Sequence, residues 1–104
     1  PIDGLYTANT LHIISWPLVI KLFDGIAQNL SANANVCIYG PFKYDGKFTS
    51  ESNASFDARL KEADSQRGIR DIEAVLTLAS SAGLKLIDDH EMRANNRLLV
   101  FSKS

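Results

Sequence analysis

Residues 35–60 read NVCIYGPFKYDGKFTSESNASFDARL. Val36, Cys37, Ile38 and Tyr39 are apolar without alternation. That run suits a strand buried on both faces of a parallel sheet. Gly40-Pro41 ends it, because a glycine followed by a fixed-φ proline makes a turn. Aromatics, lysines and small polar residues follow as a long irregular loop. A short helix is predicted from about Asn53 to Ala63, with Phe56 and Leu60 on one face and Asp57 and Lys61 paired at i, i+4. A loop of that length in a small domain is often functional.

Upstream, Ile2–Ala8 reads as a short buried strand. Ser15 is placed to cap a helix with Pro17 in its first turn, where a missing N–H costs nothing. Val19, Leu22, Phe23, Ile26, Ala27 and Leu30 make its apolar stripe. Asn33 is expected to close that helix in a left-handed conformation. Downstream, Asp71 caps a helix with the stripe Ile72, Val75, Leu76, Ala79 and Ala82, and Gly83 stops it. Leu84–Met92 and Arg97–Ser104 read as two strands joined by a turn at residues 93–96, an antiparallel hairpin. Leu84, Leu86 and Asp88 are expected to share a face. Strands alternating with helices predict an α/β fold with a parallel sheet and right-handed crossovers, closed by one antiparallel strand.

The 104 residues, 45% hydrophobic and 22% charged, fit a single unit with one core. A net charge of −1 with scattered Lys and Arg argues against a general nucleic-acid binder. The one cysteine, Cys37, can form no internal disulfide and reads as an inert core residue. It suits a reducing compartment, so a cytoplasmic location is expected. No stretch is long and apolar enough to span a membrane. The only methionine is Met92, and the strand-like start raises the expectation of a piece of a longer protein.

In open α/β sheets ligands bind beyond the carboxyl ends of the parallel strands. Two such ends exist, at Asn9–Ile13 and at Tyr39–Gly46. Asn9 and Thr10 are candidate ligand contacts, with turn satisfaction the equal alternative. His12 is a candidate general base, weighed against the more ordinary reading of a packed histidine. Trp16 reads as a packing anchor. Glu51 and Asn53 could face a ligand or cap the helix. In "DDHE", Asp88–Glu91, alternation puts Asp88 and His90 on one face and Asp89 and Glu91 on the other. The four cannot converge on a metal, so none is expected and a solvated edge is the better reading.

Four blocks, "NTLHIISW", "IYGPFKYDGKFTSESNASFDARL", "GIRDIEAVLTLASSAGL" and "EMRANNRLLVFSK", resemble the family catalogued as domain of unknown function 938, the methyltransferase-like protein 26 family. The resemblance covers nearly the whole chain. It implies the C-terminal half of a Rossmann-like class I S-adenosylmethionine-dependent methyltransferase. The four strands would then lie side by side in the order 4-5-7-6 of the full fold. It further implies S-adenosylmethionine as cofactor of the parent protein and an acceptor that is most simply a small molecule. Asn9, Thr10 and His12 would face the cofactor. Tyr39, Gly40, Pro41, Phe42, Lys43, Glu51 and Asn53 would form the acceptor side. The glycine-rich turn that holds the cofactor in such enzymes is missing, for no G-x-G occurs in the chain. The chain alone is therefore expected to be inactive and to bind the cofactor weakly or not at all. Its apolar first strand would be an exposed edge through which two copies could pair. The alternative is a non-catalytic small α/β binding or interaction domain.

Overall fold

The computed structural model describes residues 2–104. Strand β1 (Ile2–Ala8) leads to helix α1 (Trp16–Asn29), then strand β2 (Leu30–Gly40). Two short strands follow, β3 (Phe42–Tyr44) and β4 (Lys47–Phe48), before helix α2 (Glu51–Ala63). A two-residue strand β5 (Arg70–Asp71) precedes helix α3 (Ile72–Ser81). Strands β6 (Leu84–Glu91) and β7 (Arg97–Lys103) end the chain.

The main sheet has the order β1-β2-β7-β6. β1 runs parallel to β2, with Leu5 opposite Val36 and Ala8 opposite Tyr39. β7 is antiparallel to both its neighbours, pairing Phe101 with Val36 and with Leu86. This is the predicted mixed sheet with its antiparallel hairpin. One core joins Val19, Phe23 and Ile26 of α1 and Val75 and Ala79 of α3 to Val36, Ile38, Leu99 and Phe101 of the sheet. Both helices thus bury their apolar stripes on the same face of the sheet.

That one-sided packing corrects several expectations. In β2, Val36 and Ile38 are fully buried while Cys37 and Tyr39 between them are only half-buried. The strand is therefore covered on one face, and Cys37 is not a core residue. β1 is not buried either: it has one neighbour, and Tyr6 on its outer face is 65% exposed. Leu5 alone of its large residues turns toward the core. In α1, Ala27 is exposed although its spacing fits the stripe.

Element ends moved for local reasons. α1 stops at Asn29, and Leu30 is already extended. Asn33 does take the left-handed conformation, with φ 68°, but as an irregularity inside β2 rather than as a helix cap. α2 starts at Glu51 rather than near Asn53, because the Ser50 hydroxyl accepts from the Asn53 N–H. The expected irregular loop contains a hairpin. Asp45 and Gly46, with φ of 54° and 74°, form a tight turn between β3 and β4. Positive φ at both central residues is the twist that matches antiparallel strands, and Asp-Gly is among its usual sequences. Asp71 occupies the cap position of α3 but makes no side-chain cap bond. In β6 the register shifts between Leu86 and Asp88, so Ile87 is a bulge. Asp88 consequently pairs opposite Val100 and leaves the face of Leu86.

Candidate functional site

The parallel strands β1 and β2 both end at the same rim of the sheet. Beyond β1, the Asn9 N–H donates to the carbonyl of Tyr39 at 2.9 Å and so ties the two strand ends together. Asn9 has φ 55°, a left-handed conformation that asparagine tolerates better than most residues. The Thr10 hydroxyl lies 2.6 Å from that of Thr7 and 3.2 Å from the Ala8 carbonyl. Its polar groups are used within the turn.

His12 is 4% exposed, and among the described residues no group is hydrogen-bonded to its ring. The ring lies against Gly40, where a Cβ would sit 3.5 Å from Nδ1. Phe56 of α2 meets it edge to face at 5.6 Å. Burial, and then the nearby positive charge of Arg70, hold the imidazole below its ordinary value of 6.5. His12 is therefore neutral at pH 7. An imidazole at this rim, held below its ordinary pKa, can take a proton from a group brought to it.

The segment carrying His12 is anchored from a distance. The Gly68 N–H donates to the His12 carbonyl at 3.0 Å. Arg70 Nε donates to the Leu11 carbonyl at 3.0 Å, and Nη2 donates to those of Ile14 at 2.7 Å and Gln66 at 2.8 Å. The Arg70 guanidinium also lies 5.5 Å over the Trp16 ring. Asp57, buried in α2, accepts from the Ile69 N–H at 2.8 Å and pairs with Lys61 at 2.9 Å. The predicted Asp57–Lys61 pair is thus half of a larger tie.

The remaining predicted site residues disperse. Tyr39 is half-buried and its hydroxyl accepts from Asn96 Nδ2 at 3.2 Å. Pro41 is buried, and Phe42 points into the core at 1% exposure. Lys43 faces Asp71 at 3.7 Å and the Phe48 ring at 5.5 Å. It lines a cavity of about 230 Å³ with Trp16, Lys61 and Arg70. Glu51 is exposed in the first turn of α2, where a negative charge suits the helix dipole. Asn53 is buried, its amide donating to Thr49 Oγ1 at 3.1 Å and to the Asn95 carbonyl at 3.3 Å. Among these candidates the structure brings together the backbones of Asn9 and Tyr39, Gly40 and the His12 ring; the Tyr39 hydroxyl and the other candidates face elsewhere or are already bonded.

The "DDHE" edge also needs correction. Asp88 and His90 do share a face, 3.8 Å apart. Asp88, His90 and Glu91 are exposed as expected, but Asp89 is only partly solvated: it accepts from the Tyr44 hydroxyl at 2.7 Å and from Arg97 Nε at 2.8 Å. Burial, with that bond to Asp89, pushes the Tyr44 phenol well above its ordinary value. This triad fastens β3 to the main sheet.

The family model described as "Protein of unknown function (DUF938)" matches residues 1–103, and the chain belongs to that family. Solved methyltransferases have the same fold. An O-methyltransferase family 2 protein from Planctomyces limnophilus, in complex with apigenin, superposes with a TM-score of 0.87 at 18% identity. It is matched by 100% of this chain and over 31% of its own length. Human N-acetylserotonin methyltransferase in complex with SAM gives 0.80 at 16% identity, with 98% of this chain and 29% of that one. The mitomycin 7-O-methyltransferase MmcR gives 0.83 at 14% identity, with 100% and 30% covered. The fold is therefore the C-terminal part of a class I methyltransferase fold, with strands in the order 4-5-7-6. The chain spans about 31% of the length of the first of these structures.

Proposed function

We propose that this chain is the acceptor-side half of an S-adenosylmethionine-dependent O-methyltransferase, with His12 as its general base. The observation that carries the reading is His12 itself: buried, neutral and unpaired beside Gly40 at the carboxyl ends of two parallel strands. An acceptor hydroxyl must lose its proton as its oxygen is alkylated, and a positioned imidazole of lowered pKa suits that task. The acceptor O–H bond breaks toward a His12 ring nitrogen, and the oxygen keeps the electron pair for its new bond. The strand ends tied at Asn9 and Tyr39 adjoin Gly40, against which the ring lies, and Phe56 meets the ring edge to face. S-adenosylmethionine, when bound, supplies the electrophilic methyl group.

The residues present fit one wall of a cofactor site and not a cradle. Thr10 is committed to Thr7, Asn9 offers one free amide, and the chain has no G-x-G turn. We therefore place the cofactor-binding half in another part of a parent protein, consistent with the 31% coverage of the matched chain. The chain by itself is expected to be inactive. A small-molecule acceptor is the simplest reading, since the matched structures include a complex with apigenin and a mitomycin methyltransferase. The test is methyl transfer by the longest natural chain containing these residues, against a panel of hydroxylated small molecules. His12→Gln should lower kcat by about 10²–10⁴-fold while leaving S-adenosylmethionine affinity unchanged. Full activity in His12→Gln would remove the general base.

A second reading concerns β1. Its outer edge has no strand partner among the described residues. Beside it lies an apolar groove of about 240 Å³ formed by Ile2, Leu5, Leu22, Gly25, Ile26 and Leu30. In the parent protein the other half would cover this edge; in the isolated chain a second copy would pair there. A concentration-dependent dimer in sedimentation velocity is expected, and a monomer at every concentration would remove the idea.

A further inference from the structure

We propose that Arg70 is a positioning residue for His12, gripping the chain on both sides of it so that the imidazole stays aimed at the rim of the sheet. The inference rests on the reading of His12 as the base, and it adds a part that reading does not contain.

The geometry is asymmetric in a way that packing alone does not require. His12 has no side-chain hydrogen bond to fix its ring. Its orientation must come from its backbone and from the two surfaces beside it, Gly40 and Phe56. The backbone is held at three carbonyls, those of Leu11, His12 and Ile14, and all three donors come from Gly68 and Arg70. Arg70 makes two of these bonds with one rigid planar group, which fixes the spacing between the Leu11 and Ile14 carbonyls. Trp16 lies under the same guanidinium at 5.5 Å and limits its sideways motion. Behind Arg70, the Asp57 carboxylate holds the Ile69 N–H, so the clamp is itself anchored in α2. α2 also contributes Phe56, the ring against His12. One helix therefore sets both the clamp and the wall of the site. Arg70 spends its fork on carbonyl oxygens and makes no ion pair among the described residues, a use of charge that stabilises a particular backbone shape.

A lysine cannot reproduce this. It keeps the charge and much of the apolar stem, but its ammonium is a single point and cannot span two carbonyls as a fork does. That difference separates positioning from charge.

The test is an NMR titration of the His12 imidazole in this chain without cofactor, in a His90→Gln background so that one histidine remains. In Arg70→Met the His12 pKa should rise toward 6.5, and its ring proton should lose the upfield or downfield displacement imposed by Phe56. In Arg70→Lys the ring-current displacement should shrink although the charge remains. An unchanged His12 titration and ring-proton shift in either folded variant would overturn the proposal. Should Arg70→Met not fold, Arg70→Lys carries the test alone. The readout needs no methyl transfer, so a failed activity assay and a failed clamp are separate results.

Discussion

The segment from residue 41 to residue 71 and the strand at residues 2–8 sit on either side of the same site and are finished to different degrees. The first is tied at each turn: Asn53 to Asn95, Tyr44 to Asp89, Asp57 to Ile69, Arg70 to Leu11 and Ile14. The second has one ladder, an open edge, an exposed Tyr6 and an apolar groove beside it. The segment from residue 41 to residue 71 is held in shape by the chain's own residues. The outer edge of β1 has no strand partner among the described residues. An active site assembled between them would have one rigid wall already built.

Substitutions should feel that contrast. The largest effect is expected at Asp57→Ala, which strands the buried Ile69 N–H and frees Lys61. It should cost about 1–3 kcal/mol in urea denaturation; a cost near zero would mean that the ties of this segment are ornamental. A smaller effect should come from pH. The folded His12 pKa lies below the unfolded value of 6.5, so its stabilising contribution is complete above 6.5 and is lost as pH falls through the folded pKa. The urea midpoint should fall as the pH is lowered below 6.5, and His12→Gln should flatten that slope. The smallest effect is expected on the open side. Tyr6→Ser should change stability by less than about 0.5 kcal/mol, because the side chain is 65% exposed.

Much of this could be read from the residues. Apolar spacing located α1 and α3, and the alternation of strands and helices gave the parallel pair and the terminal hairpin. The rim carrying Asn9, His12, Tyr39 and Gly40 followed from the rule that ligands sit beyond parallel strand ends. The β3–β4 hairpin lies inside what reads as an irregular loop, although Asp45-Gly46 between Tyr44 and Lys47 is a tight-turn signal. The one-sided burial of β2 was not legible: an unbroken apolar run says that a strand is hydrophobic, not which of its faces is covered. The bulge at Ile87 was equally hidden, because a register shift depends on the partner strand. Arg70 left no mark in the sequence. Its targets lie 59 and 56 residues away, and backbone carbonyls have no residue type to betray them.

The most direct test of the account is a calorimetric titration of S-adenosylmethionine into this chain. If the chain supplies only the acceptor wall, no saturable binding should appear in the micromolar range. A micromolar dissociation constant would mean that these 104 residues hold a complete donor site, and the division into two walls would be wrong.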